Sequence, residues 1–300
     1  MRIFVFAVGG TGARVLRSLA MLMASGINGM GNAEIVPIIV DCDKSNGDKL
    51  RTINCLNKYA EIHNTSKADT FFATPITPLR NVAIGGGHGI VRNLNDYELN
   101  FGPTTNGTFA DNVGLQHMDG LYSETKELLN LLYDNSIDPN RAELELGLQM
   151  GFKGNPNIGS IVFNDLKNTP EFRHFERVCR PDDRIFIISS IFGGTGASGF
   201  PAIVHAIQMS ANLNVRAARK GALVMLPYFK VKHDPAKAID SNTFNSKTKA
   251  ALSYYEDSGL NGMIDAIYYV ADDNATSLSN EEGSTNQINA AHVAEFVSAL

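Results

Sequence analysis

The sequence has few of the residues that mark several common kinds of site. Its three cysteines include no Cys-x-x-Cys pair and leave one cysteine over, which speaks against a disulfide framework and favours a reduced, cytoplasmic location. The seven histidines form no His-Glu-x-x-His motif, so no zinc site is expected. The net charge of −5 includes no block of like charges, and this excludes the basic footprint of a nucleic-acid or membrane-surface protein.

One stretch, 185–215, has no formally charged residue and is long enough to span a bilayer. Its centre is Gly-Gly-Thr-Gly-Ala-Ser-Gly, which makes a poor lipid-facing helix, so we predict a strand and a helix inside a core. Glycines, Arg14 and Arg17 likewise interrupt the apolar N-terminal stretch. No secretory signal is expected there.

Short apolar runs alternate with helical segments along the chain. The predicted strands are Ile3–Val8, Ile35–Val40, Ile185–Ile191, Ala222–Leu226 and Ala266–Val270. The predicted helices are Ala13–Ala24, Gly120–Asp134, Glu171–Cys179, Gly199–Ala211, Phe244–Glu256 and Asn289–Leu300. This alternation predicts an α/β fold with a mostly parallel sheet covered by helices on both faces.

Two nearly identical glycine loops follow predicted strands. Gly9-Gly10-Thr11-Gly12 comes after the first strand, and Gly193-Gly194-Thr195-Gly196 follows the run that ends at Phe192. Glycine lets backbone N–H groups and a helix N-terminus approach an anion closely, because no Cβ intervenes. Both loops are expected at the carboxyl edge of the sheet, where ligands bind. They predict one nucleotide that is held from two sides.

Two standard nucleotide motifs fit poorly. The Gly-x-x-x-x-Gly spacing of the second loop is followed by Phe200 and Pro201 instead of Lys and Ser or Thr, which excludes a Walker A site. The first loop matches a dinucleotide fingerprint only in part, because Val15 stands at the third glycine position; Asp41 or Asp43 would be the ribose carboxylate. An oxidoreductase that binds NAD(P) remains a less favoured alternative.

Six segments resemble nucleotide loops and neighbouring elements of the tubulin/FtsZ superfamily. They are Ala7–Ala13, Val40–Asp43, Gly151–Gly159, Phe192–Gly199, Met225–Phe229 and Asn289–Glu295. The fourth is similar to the signature (G)GGTG(S/T)G, and the order along the chain agrees. The resemblance implies the three-layer, Rossmann-like GTP-binding domain of that superfamily over 1–288, interrupted by a loop-rich insertion at 50–148. It also implies that 289–300 begins the central helix and that the second domain is absent from this chain.

The same resemblance implies a site for GTP or GDP without a phosphate-binding lysine. Backbone amides of the two glycine loops would cradle the phosphates, and the loop at Gly154 and Asn155 would close over the γ-phosphate. Asp41 or Asp43 would hold Mg²⁺ through water, and Asn289, with Asn286 as the alternative, would read guanine. The implied nucleotide-binding residues are Gly9, Gly10, Thr11, Gly12, Asp41, Asp43, Gly154, Asn155, Gly193, Gly194, Thr195, Gly196 and Asn289.

The implied function is that of a GTPase that assembles head to tail into filaments. In the superfamily a neighbouring subunit supplies the acidic loop that completes the site. That loop would lie beyond Leu300, so no catalytic residue is predicted in this chain. The expected partners are guanine nucleotide and further copies of the protein, with neither nucleic acid nor membrane. A guanine-nucleotide switch that does not polymerise is the main alternative.

Overall fold

The computed structural model describes the chain except for residues 28–31, 66–69, 86, 134–142, 235–236, 238, 274–275 and 282. The strands are β1 (Arg2–Val8), β2 (Glu34–Val40), β3 (Arg184–Ser190), β4 (Arg219–Met225), β5 (Lys230–Val231), β6 (Ala266–Val270) and β7 (Ser277–Leu278). The α-helices are α1 (Gly9–Ala24), α2 (Gly47–Thr65), α3 (Phe109–Val113), α4 (Ser123–Tyr133), α5 (Pro156–Phe163), α6 (Pro170–Val178), α7 (Gly194–Gln208), α8 (Leu213–Ala217), α9 (Phe244–Asp257) and α10 (Val293–Val297).

Five strands form one fully parallel sheet in the order β2-β1-β3-β4-β6. The crossover after β1 leads to one side of the sheet and the crossover after β3 leads to the other. Since such crossovers are right-handed, α1 and α7 lie on opposite faces. The predicted α/β class, the parallel sheet and all five of its strands are therefore confirmed. The change of direction lies between the adjacent strands β1 and β3, so the switch point of the sheet falls there.

The central strands are buried on both faces, as their near-continuous apolar sequences predict. Phe4 and Phe6 of β1 pack edge-on against Phe175, with ring centroids 4.9 and 5.1 Å apart. Aromatic pairs of this geometry add to the stability that burial supplies. This aromatic packing holds α6 against β1.

The helix α2 was missed by the sequence analysis, which found no helix between residue 50 and Gly120. Its sequence is rich in lysine, asparagine and other polar residues, so its apolar pattern is weak. Hydrogen bonds explain the formation of α2 better than its apolar pattern does. The Asn46 side chain accepts from the amide of Lys49 at 3.0 Å and caps the helix. Thr52 Oγ1 then donates to Ala13 O at 2.9 Å and fixes α2 to α1.

Part of the predicted insertion covers the open edge of the sheet. Ile35 and Ile39 of the edge strand β2 bond to Pro75, Thr77, Tyr97 and Leu99 through the backbone. Pro37, between them, lacks an N–H and is tolerated because it stands on an edge strand. The segments 75–77 and 97–99 thus protect an edge that would otherwise invite pairing with another chain.

Several helix ends differ from the prediction. The helices α1 and α7 begin at Gly9 and Gly194, four or more residues earlier than predicted, because both glycine loops coil directly into the first helical turn. Helix α4 begins at Ser123, and the predicted end at Asp134 lies outside the described residues. Near the C-terminus only α10 is helical. It begins after His292, whose Nδ1 accepts from the amide of Ala294 at 3.1 Å.

Gly12 illustrates how tightly α1 packs on the sheet. A Cβ added there would lie 2.7 Å from Ile188 O and 2.8 Å from the carbonyl carbon of Ala7. We expect Gly12→Ala to lower the free energy of unfolding by about 2 kcal/mol, since backbone atoms would have to move. Chemical denaturation measures this. Gly262→Ala, whose Cβ would meet nothing within 4 Å, is the control, and an equal loss in both variants would contradict the prediction.

Among the described residues, no helix combines the length and apolar character needed to cross a lipid bilayer.

Candidate functional site

The two glycine loops lie against each other at the switch point of the sheet. A Cβ added to Gly9 would lie 3.4 Å from Thr195 Cβ and 3.7 Å from Gly196 N. Gly9 also has a positive φ of 67°, which favours glycine. The contact between the loops follows from the pairing of β1 with β3. The tertiary structure therefore brings together two segments that are 180 or more residues apart.

The Asn-Pro loop is the third part of this arrangement. A Cβ added to Gly194 would lie 3.1 Å from Gly154 N and 3.2 Å from Asn155 N. Pro156 occupies the first turn of α5, where its missing N–H costs nothing. The helices α1, α5 and α7 therefore all begin close to one another.

None of these three helices has a side-chain cap. Val8, Asn155 and Gly193 occupy the N-cap positions, and no side chain there accepts a hydrogen bond from the first turn. The first N–H groups of a helix need a partner, and together they carry a partial positive charge. The first turns of α1 and α7, walled by glycines, suit an anion with several oxygens, and the loop before α5 lies beside them.

These loops border one cleft of about 970 Å³, its open mouth included. Of the predicted residues, Gly12 and Asn155 are not among those that line it; Gly12 packs against the sheet and Asn155 precedes α5. The predicted residues that do line the cleft are Gly9, Gly10, Thr11, Asp41, Asp43, Gly154, Gly193, Gly194, Thr195, Gly196 and Asn289.

The sequence analysis did not foresee two lysines at this cleft. Lys153 and Lys247 both line it, and Lys247 Nζ donates to Gly154 O at 2.8 Å. The prediction that the phosphates are bound without a lysine stays a prediction. Lys247 lies on α9, far along the chain and in no recognisable motif. Phe192, Phe229 and Phe244 add an apolar wall.

A buried arginine forms the floor beside the first glycine loop. Arg14 is 2% exposed; its Nη1 donates to Asp48 Oδ2 at 2.9 Å and its Nε donates to Glu295 Oε1 at 2.5 Å. Its Nη2 donates to Tyr228 OH and Thr11 Oγ1. Burial alone would lower the pKa of Arg14, but Tyr228, Glu295 and Asp48 outweigh it and raise the pKa above its usual value. The network ties the first loop to α2 and α10.

The two candidate Mg²⁺ acids differ in their surroundings. Asp43 Oδ1 accepts from Ser45, and its Oδ2 accepts from the amide of Ser284 at 2.6 Å. Both of its oxygens therefore hold loops in place. Asp41 accepts from the amide of Asp43 at 3.0 Å. Among the described residues, no three His, Cys, Asp or Glu side chains are grouped so as to hold a metal ion, and a metal would need oxygens from water or a ligand.

Burial raises the pKa of Asp41 to about 6, from 3.8, although Lys49 opposes this. The folded chain thus holds this proton more tightly than the unfolded chain, so stability is lost as pH rises from about 4 to about 6. We expect Asp41→Asn to be more stable than the wild type by about 3 kcal/mol at pH 7 and nearly equal to it at pH 4. Denaturation at both pH values tests this. Glu61→Gln, exposed on α2, is the control, and a pH-independent effect of Asp41→Asn would refute the assignment.

Asn289 lies at the cleft but not in a helix. Its Nδ2 donates to Asp48 Oδ2 at 3.1 Å, and its backbone amide also points to Asp48. The residue is 8% exposed. Its Oδ1 takes part in neither bond, and an acceptor at this position suits a base edge that carries N–H donors.

The fold and the cleft together define the class of protein: an α/β protein with a doubly wound parallel sheet and an anion-suited cleft at its switch point. No family model matches the chain, and no curated protein matches it. Among solved structures it is similar to CetZ from Methanosaeta thermophila, with 14% identity over 90% of this chain and 46% of that chain and a TM-score of 0.42.

Two further similar structures are of protofilaments. CetZ2 from Haloferax volcanii, bound to GTPγS, has 13% identity over 90% of this chain and 49% of that chain, with a TM-score of 0.40. The GTPγS form of TubZ from Bacillus thuringiensis serovar israelensis has 12% identity over 90% and 47%, with a TM-score of 0.34. The chain spans about half the length of these proteins.

Proposed function

We propose that this chain is a GTP-binding protein of tubulin/FtsZ type that holds GTP or GDP in the cleft between its two glycine loops. The observation that carries the proposal is the meeting of two uncapped helix N-termini, those of α1 and α7, at one glycine-walled cleft that the loop before α5 also borders. A chain of phosphates offers many acceptor oxygens to such a set of donors. The switch point of a doubly wound sheet is also where nucleotides bind in other folds.

The residues present fit such a ligand. The amides of Gly10 and Gly194 and the hydroxyls of Thr11 and Thr195 would contact phosphate oxygens, with Lys247 adding positive charge. Asp41 is the acid better placed to hold Mg²⁺ through water, because both oxygens of Asp43 have other partners. Bound Mg²⁺ would neutralise phosphate charge.

We propose that Asn289 contributes to guanine recognition through its Oδ1, since guanine presents N–H donors on its pairing edge. Asn289→Ala is expected to reduce the preference for GTP over ATP about tenfold. The reason is the loss of one hydrogen bond of about 1.4 kcal/mol, which corresponds to a tenfold change in affinity. Competition titrations measure the ratio. Asn286→Ala tests the alternative reader, which is exposed and is not among the residues that line the cleft; an unchanged ratio in Asn289→Ala would contradict the proposal, and a reduced ratio in Asn286→Ala instead would assign base recognition to Asn286.

We also propose that the complete protein assembles head to tail and hydrolyses GTP where a neighbouring subunit completes the site. The support is the resemblance of the loops to a superfamily that works in this way. Sedimentation with GTP, compared with GDP, tests assembly. If guanine nucleotide binds but no polymer sediments at any concentration, the protein is a nucleotide switch instead.

Identification of the retained nucleotide tests the central proposal. The purified chain is denatured and the released small molecules are separated; guanine nucleotide in near-stoichiometric amount is the expected result. If none co-purifies, titration with GTP, ATP and NAD(H) replaces the first measurement. Release or preferred binding of NAD(P) would instead support a dinucleotide enzyme, and no affinity for any of these ligands would end the proposal.

A further inference from the structure

A surface groove lies between α1 and α2, outside the nucleotide cleft. Its floor is apolar and comprises Ala20, Ala24, Tyr59 and Phe72. Met21 and Ile62 stand on its two sides and are 62% and 40% exposed. Exposed apolar side chains along a groove are a feature of surfaces that bind other proteins.

The charged residues of the groove are all cations. Arg17, Arg51 and Lys58 line it, and no acidic residue does. In the described part of the chain, neither Arg17 nor Lys58 forms an ion pair, and the carboxylate partner of Arg51, Asp48, is shared with Arg14. Burial and the neighbouring Arg51 lower the pKa of Arg17, although Asp48 and Glu295 oppose this. In a chain of net charge −5, this is a local excess of positive charge.

The spacing of these residues matches helix packing. Along α1 the groove residues are spaced by four and then three positions, at Arg17, Met21 and Ala24. Along α2 they are spaced by four, three and four positions, at Arg51, Cys55, Lys58 and Ile62. Rows at such intervals form the ridges between which another helix packs. From Arg51 to Ile62 the groove is about 16 Å long at 1.5 Å per residue, or about three turns of helix.

We propose that this groove binds an acidic amphipathic helix of a partner protein. The apolar side of that helix would pack on Ala20, Ala24 and Tyr59, and its carboxylates would pair with Arg17 and Lys58. This is the helix-in-groove form of recognition, with charge selecting the partner. The proposal is independent of the ligand in the nucleotide cleft.

Cys55 in the groove provides a direct reporter. Cys55 is half-buried, whereas Cys42 and Cys179 are buried. The probe is an 18-residue peptide with leucines at helical i, i+3, i+4 and i+7 spacing and glutamate or alanine elsewhere. We expect it to slow the alkylation of Cys55 by N-ethylmaleimide at least tenfold at saturation. A peptide with lysine in place of each glutamate is expected to have no effect.

Variants separate the groove from general electrostatics. Arg17→Glu with Lys58→Glu is expected to weaken binding of the acidic peptide at least tenfold, while the control Lys167→Glu with Lys249→Glu, exposed outside the groove, changes it less than twofold. Circular dichroism checks that both fold. Equal binding of the two peptides, equal effects of the two double variants, or no binding of the acidic peptide up to about 1 mM would each overturn the proposal.

Discussion

The double variant Gly194→Ala/Thr195→Ala is expected to bind GTP at least 100-fold more weakly than the wild type. The added Cβ at residue 194 would lie 3.1 Å from Gly154 N and from Phe152 Cβ, and would push the third loop away from the fourth. Loss of the Thr195 hydroxyl removes one donor to a charged oxygen. Hydrogen bonds to charged groups contribute about 1.5–3 kcal/mol each. The lost hydrogen bond and the displaced third loop together are therefore expected to cost about 3 kcal/mol of binding free energy.

Calorimetric titration of GTP and GDP into both proteins measures this loss. Thr195→Ser keeps the hydroxyl and is the matched control, with an affinity within about threefold of the wild type, below 1 kcal/mol. The fold should survive in all variants, since Thr195 is only partly buried and the Cβ added at residue 194 needs its neighbours to shift by only a few tenths of an ångström. Wild-type affinity in the folded double variant would show that the fourth loop does not contact the nucleotide.

Arg14→Met is expected to lower the free energy of unfolding by about 3–5 kcal/mol. The substitution keeps most of the volume but leaves Glu295, 2% exposed, without its cation and leaves Asp48, 0% exposed, with Arg51 as its remaining cation. Breaking a buried ion pair from one side costs this much because an uncompensated charge stays in a medium of low polarity. The same change removes the link between the first glycine loop and α10.

Denaturant unfolding of the wild type and the variant measures the effect. Arg173→Met is the control, because Arg173 is exposed and bonds to Asn168, and a change within about 0.5 kcal/mol is expected. The triple variant Arg14→Met/Asp48→Asn/Glu295→Gln should recover part of the loss, since no buried charge is then left alone. A loss below about 1 kcal/mol in Arg14→Met would mean that water reaches the two carboxylates.

The elements that the sequence analysis placed correctly are those with strong local signals. Strand β3 is a continuous apolar run, and it ends within one residue of the prediction. Helix α2 was missed because its stability comes from the Asn46 cap and from packing on α1, and neither produces an apolar repeat. The C-terminal helix was predicted too early because His292 sets its beginning, and histidine is not a usual capping residue.

The residues of the candidate site likewise fall into those that the sequence reveals and those that only the tertiary structure reveals. Glycine loops can be recognised locally, because a positive φ such as that of Gly9 favours glycine. Lys247 and Arg14 could not be assigned to the site from the sequence, since each reaches the cleft through a helix whose residues there form no motif. The role of Gly12 was also hidden, because a glycine that permits packing on Ile188 looks in sequence like one that faces a phosphate.

The sequence by itself determined the parallel α/β class, the five strands of the main sheet and the two glycine loops, because apolar runs and glycine conformations act over a few residues. Only the tertiary structure decided that the loops after β1 and β3 touch, that the Asn-Pro loop joins them, and that Arg14, Lys153 and Lys247 surround them. The reason is physical: strand order and right-handed crossovers fix which chain segments meet, and such contacts join residues far apart in sequence.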